Sequence, residues 1–418
     1  MKLKRLAAIV AIVSSLAGAG VAAAQTRPTV TEGLRSVHQA LSLADGGFSG
    51  PGAATLTEAV RQARLIAVGE DHLTREIPAF VEALCRQTAP ELSGLALEVG
   101  PRALAAIAPD LTAPDRLRRI ADFNRRYPAA MAFVDNRADN DMTAACLALQ
   151  PRLRLIGLDQ EFLGAGGLLL DRILAEPLSP EARREAEALR RVEAQGEAEA
   201  AQSGDPQGHL LLLGLGSDED LARMEAALER GGTPKARAIF SELERSRKIY
   251  LMGGNASNQD RARLLKSNLR ENLPAQGKVI LKMGDWHLYR GYNPLNNRDL
   301  GNWLAERADE EGRPSLHILI LGEAGVHALF GGYERPLRME PFRMVEDRDY
   351  GWLQAAVDAR GAATPGQWDL FDLRKLRDRR LDGADFNWRR VLDGYDLLVL
   401  IPELTPTEHI GAPSEGRP

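Results

Sequence analysis

The chain has 418 residues, with 53 Lys and Arg against 58 Asp and Glu, a formal charge of -5 and two cysteines. That balance gives no general basic field, so nucleic acid is excluded as an expected partner. Past the first thirty residues no run is long and apolar enough to cross a membrane.

The first segment reads MKLKRLAAIVAIVSSLAGAGVAAAQ. Lys2, Lys4 and Arg5 form a basic start, an apolar run follows, and Ala22-Ala23-Ala24 before Gln25 supplies a small-residue cleavage pattern. Residues 1–24 are therefore expected to be a signal peptide, although 18 apolar or small residues would just suffice for an uncleaved anchor helix. No Cys follows the run, which excludes a lipid anchor there. The expected location is periplasmic or secreted, with no membrane span after cleavage. About 390 residues remain, enough for a sizeable core.

Short apolar runs then recur as candidates for fully buried strands. They are RLIAVGE (64–70), GLALEVG (94–100), RLRLIGLDQE (152–161), KVILKMGDWH (278–287), SLHILILGEAG (315–325) and YDLLVLIPE (395–403). Helical patterns lie between most of them. Ile77, Phe80, Val81 and Leu84 share one helix face, and Leu300, Trp303 and Leu304 share another. From about 165 to 250 the chain is rich in Ala, Glu and Arg, with helix starts at Ser179-Pro180 and Ser217. The expected fold is α/β: a largely parallel central sheet flanked by helices on both faces, spanning 25–405, with a helical insertion at about 165–250. Residues 406–418, rich in Pro and Gly, are expected to be a loose tail. Cys85 and Cys146 either stay as buried thiols or, if their helices pack on one face, close a loop of about 60 residues.

Almost every expected strand ends in a carboxylate, a histidine or both: Glu70 and His72, Glu98, Asp159 and Glu161, Asp285 and His287, Glu323. In an open parallel sheet those ends share one edge, where ligands bind. A lone acid there is commonly a helix cap or turn former. The set says more, because Gly69-Glu70-Asp71-His72 and Gly284-Asp285-Trp286-His287 repeat one G-x-x-H pattern. Two imidazoles among carboxylates suit water activation by a histidine base, or a divalent metal held by His and acidic ligands. His38, His209 and His409 lie in helical, insert or tail contexts; His317 is expected to be packed inside a strand, and His327 stays a minor candidate.

At these residues the chain resembles the erythromycin esterase family, within a wider group that includes ChaN haem-binding lipoproteins and TIKI metalloproteases. GEDHLTRE is similar to the esterases' G-E-x-x-H-G-T-R-E signature with one residue fewer before His, a spacing closer to ChaN or TIKI. LALEVG, RLIGLDQE, DRARLLKSNL, KVILKMGDWHLYR, RDLGNWLAER, DLFDLR and YDLLVLIP resemble later esterase segments in the right order, with Leu265 in place of a Met. The likeness covers roughly residues 55 to 405. It places Glu70, His72, Arg75, Glu98 and His287 at active-site positions. Asp285 adds an acid where the esterases carry Asn nearby.

Three functions follow as expectations. The first is a hydrolase acting on ester, lactone or amide bonds of a small-molecule or peptide substrate, without cofactor. There His72 activates water, Glu70 and Glu98 position it, and Arg75 steadies an oxyanion. His287 and Asp285 complete the catalytic set, and Trp286, Tyr289 and Asp159 are candidate substrate contacts. The second is a metal-dependent hydrolase of TIKI type with His72 and His287 among the ligands. The third is a ChaN-like binder of haem or another ligand, for which Trp286, Tyr289 and Tyr292 stand beside His287.

Overall fold

The structure is a computed structural model that describes residues 27–205 and 208–411. The expected signal peptide and the last seven residues lie outside the described residues. The six expected strands form, together with four others, a ten-stranded sheet. In chain order the strands are β1 His38–Ala44, β2 Gly47–Ser49, β3 Leu65–Glu70, β4 Leu92–Leu97, β5 Arg154–Gly157, β6 Lys278–Gly284, β7 Ser315–Leu329, β8 Arg338–Arg343, β9 Trp368–Asp372 and β10 Leu397–Leu404. The order across the sheet is β2-β1-β9-β10-β7-β3-β6-β4-β5, with β8 paired to the far half of β7.

From β10 to β5 every neighbouring pair is parallel. β9, β1 and β2 extend the sheet in antiparallel fashion. The central strands read as near-continuous apolar runs, broken by Lys282 in β6 and His317 in β7, because each feeds two cores. Ile66, Val68, Ile280, Ile318, Ile320, Leu397 and Val399 enter one; Leu65, Ala67, Val279, Leu281, Leu319, Leu398 and Leu400 enter the other. This is the period-two alternation of a strand covered on both faces.

Helix Glu76–Thr88 lays Ile77, Phe80, Val81, Leu84 and Cys85 on the first core. Helix Leu300–Glu311 lays Leu300 and Leu304 on the second. Burying each such side chain contributes about 1.5–3 kcal/mol. Cys85 and Cys146 face each other across the first core and are bonded, with Cα atoms 5.5 Å apart.

Between β5 and β6 the chain runs through helices from Gly166 to Asn272. Ser179, Ser217 and Thr233 cap three of them by accepting the backbone N–H three residues on, and Pro180 and Pro234 sit in first turns where no N–H is needed.

Two expectations are corrected. His38 belongs to strand β1, where its Nε2 meets Asp369 Oδ1 at 2.7 Å. Val30, Leu34, Val37 and Leu41 mimic helical spacing there, yet only the first two lie on a helix. Pro406 to Gly411, expected to belong to a loose tail, are fastened: Pro406 bridges Thr74, Thr407 is buried against Asn136, and the Ile410 N–H donates to Asp135 O.

Candidate active site

Strand order β7-β3-β6-β4 puts the carboxyl ends of β3, β4 and β6 side by side. Glu70 is the last residue of β3 and pairs with Gly284, the last of β6; Glu98 follows β4. Glu98, 5% exposed, is the hub. Its Oε2 accepts the Gly284 N–H at 2.6 Å and lies 3.8 Å from His72 Nε2. Its Oε1 accepts from Arg261 at 2.5 Å and lies 3.6 Å from His287 Nε2. A side chain on Gly284 would place its Cβ only 2.8 Å from His72 Nε2, so glycine is what lets the imidazole approach.

Each histidine is oriented by a second carboxylate. His72 Nδ1 is 3.0 Å from Glu70 Oε1, and His287 Nδ1 is 2.8 Å from Asp299 Oδ2. In each case the ionised carboxylate accepts, so the proton rests on Nδ1 and Nε2 faces Glu98. Behind Glu70, the buried Lys282 ammonium donates to Glu70 at 2.5 Å and stands 2.7 Å from Asp139. Arg261 also binds Asp159, at 2.5 and 2.9 Å. On the same helix, Asn268 donates to the Leu158 carbonyl and pins that helix to the end of β5.

The charges hold one another. Burial opposes an imidazolium at His72, but Glu98 and Glu70 outweigh it and lift its pKa to about 9. The side chain is 36% exposed, so water tempers that pull. Burial likewise resists ionisation of Glu98, yet His72, His287, Arg261 and the Gly284 N–H bring it down to about 2. His287 is raised despite burial and Arg261, through Asp299 and Glu98. Burial pushes Asp285 up to about 7; its Oδ1 accepts from Tyr350 at 3.0 Å, and its Oδ2 is buried without a partner.

Of the expected site residues, Glu70, His72, Glu98 and His287 therefore meet, with Asp159 behind them on Arg261. Asp285 stands next to the group but faces Tyr350. Arg75 does not join it. Leu73 takes a left-handed turn (φ 57°), and the following helix carries Arg75 outward to an exposed pair with Glu408 at 2.8 Å. Tyr289 is 2% exposed, edge-on to Tyr395 in the second core, and Trp286 packs at that core's margin, so neither is placed as a substrate contact. Glu161 caps helix Pro101–Ile107 through the N–H groups of Arg102 and Ala103, and Glu323 pairs with Arg360. His317 is packed, as expected, between the Leu288 carbonyl and Ser315. His327 pairs with Asp71 at 2.7 Å and stacks on Phe342.

Sequence reasoning missed Lys282, Asp139, Asp299 and Tyr350. A lysine inside the apolar run KVILKMG was the available signal, since a buried ammonium needs carboxylates. Among the described residues no three or more His, Cys, Asp or Glu side chains are grouped as a metal site.

Beside His72 opens a cavity of about 580 Å³, walled mainly by hydrophobic side chains. Phe133, one of those walls, stacks on the His72 ring with centroids 4.4 Å apart.

No protein-family model and no curated protein matches the chain. Solved structures do match. A Bacillus cereus protein aligns at 16% identity over 91% of this chain and 98% of its own, with a TM-score of 0.54. A succinoglycan biosynthesis protein aligns at 15% over 91% and 97%, also at 0.54. A mutant of the erythromycin esterase EreC in its open conformation aligns at 17% over 84% and 94%, at 0.53. The fold is thus shared with an erythromycin esterase along most of both chains.

Proposed function

We propose that the chain is an exported hydrolase of esterase type, in which a water among His72 Nε2, Glu98 and His287 Nε2 attacks an ester carbonyl. One observation carries the reading: a single buried carboxylate stands 3.8 and 3.6 Å from two imidazoles, each tied through its other nitrogen to a carboxylate of its own. Those gaps exceed a hydrogen bond and suit a water seated off the line between the groups.

Neutral His72 takes the water proton on Nε2 while Glu70 keeps the Nδ1 proton in place. The hydroxide oxygen bonds to the carbonyl carbon, and the displaced electron pair moves to the carbonyl oxygen. Protonated His287, held by Asp299, donates a hydrogen bond to that oxygen, the role first expected of Arg75. The pair then returns, the C–O bond to the alcohol breaks, and the alkoxide takes the proton from His72. Export is supported by the N-terminal sequence pattern and by the Cys85–Cys146 bond, which belongs to an oxidising compartment. Among the described residues no helix is long and apolar enough to cross a membrane.

A metal-dependent reading would use His72, His287 and Glu98 as ligands, with Arg261 competing for the same carboxylate. Chelation separates the two. Under the proposal, ester hydrolysis is lost in His72→Ala and Glu98→Gln and survives EDTA; activity that vanishes with EDTA and returns with Zn²⁺ or Mn²⁺ favours the metal.

A further inference from the structure

We infer that the cavity beside His72 receives the bulky, uncharged, carbon-rich part of the substrate ester. This rests on the hydrolase reading and gives it a substrate class. The volume, about 580 Å³, falls in the ~300–1,000 Å³ range of sites that enclose drug-sized molecules. Its walls include Leu73, Met131, Phe133, Phe162, Phe330 and Leu337, with Phe162 and Phe330 edge-on at 5.6 Å. These come from segments that leave the carboxyl side of the sheet after β3, β5 and β7, and from the stretch before helix Arg137–Leu149.

The polar groups at the margin are engaged with the protein itself. His409 Nε2 meets Asp135 at 3.0 Å, the Asn124 amide donates to the carbonyls of Ile410 and Asp135, and Arg335 donates to those of Ala201 and Gln202. Glu334 stays in solvent at the rim. Arg125, the other charged lining residue, is 61% exposed and paired with Asp122, so charge stays at the solvent margin. A charged group driven among the apolar walls would lose water, whereas an apolar group gains by burial. Phe133 is shared by the cavity and the face of the His72 ring. A group lodged there packs against the same phenyl ring that stacks on the His72 imidazole.

The test uses the full chain and p-nitrophenyl esters from acetate to decanoate, with the uncharged fluorophore N-phenyl-1-naphthylamine as a separate binding probe. Each methylene that enters the cavity should raise kcat/KM by up to about fourfold, so decanoate should exceed acetate by at least about tenfold. Ala132→Phe and Leu337→Trp, two independent ways of narrowing the space, should each cut that decanoate-to-acetate ratio and weaken probe binding by about tenfold. His72→Ala should still bind the probe. A flat or falling ratio in the wild type, or probe binding that neither folded variant disturbs, overturns the inference while leaving the hydrolase reading intact. If no ester is cleaved, the hydrolase reading falls, and the probe titration still decides whether the cavity is an apolar site.

Discussion

Replacing Lys282 by Met removes the ammonium that joins Glu70 to Asp139. Lys282 is 3% exposed, and its Nζ lies 2.5 Å from Glu70 Oε1 and 2.7 Å from Asp139 Oδ1. Removing one partner from a buried ion pair costs about 3–5 kcal/mol, because the remaining charge is left uncompensated. Two features place this case at the low end. Burial and then Glu70 already hold the Asp139 carboxyl above its usual range, so it takes up a proton readily. Glu70 also keeps His72 as a partner. The expected loss is therefore about 3 kcal/mol, read from urea unfolding followed by circular dichroism. Adding Asp139→Asn should restore about 1 kcal/mol by removing one stranded acid. A loss under about 1 kcal/mol in the single variant would match an exposed pair and refute the buried network.

Other perturbations read the site differently. Gly284→Ala has a backbone (φ -49°, ψ 135°) that alanine adopts, so stability should change by less than about 1 kcal/mol; its methyl lands 2.8 Å from His72 Nε2, and kcat should fall about 10²-fold or more. An unchanged kcat would mean that this approach has no part in turnover. Because His72 is lifted from 6.5 to about 9, kcat/KM should climb with pH toward 9 as the neutral ring accumulates. The same raised value contributes stability that is complete below about 6.5 and fades as pH rises through about 9, so Tm should decline across that window; a rate plateau reached by pH 7 contradicts this placement of His72. Replacing Cys85 and Cys146 by Ser opens a link between residues 61 apart in sequence, and should cost about 4 kcal/mol in the chain-entropy model. An unmoved unfolding midpoint would argue against the bond.

The strands were legible because a parallel strand buried on both faces must be apolar throughout, and few helices are so short. Their terminal acids and the two G-x-x-H turns were legible for the same reason: parallel strands bring their ends together. What could not be read was the set of groups that neutralise those acids. Arg261 stands in a charged helical stretch that resembles any solvated face, and Asp139 looks like an ordinary first-turn acid. Each acquires its role only when β6 is threaded between β3 and β4. Arg75 misled because the resemblance of GEDHLTRE to the esterase signature placed it in the site, whereas here the left-handed turn at Leu73 precedes a helix start that faces it outward. β1 was hidden by four core residues at helical spacing, which a short helix followed by a strand can share with one long helix.

The central claim is that Glu98 and the two imidazoles beside it activate water. Its most direct test is the steady-state hydrolysis of one ester by the purified wild type, His72→Ala and Glu98→Gln, each verified as folded by circular dichroism and assayed before and after EDTA. The account predicts turnover in the wild type that EDTA leaves unchanged, and a fall of about 10²–10⁴-fold in both variants. Wild-type rates in a folded His72→Ala protein would contradict it.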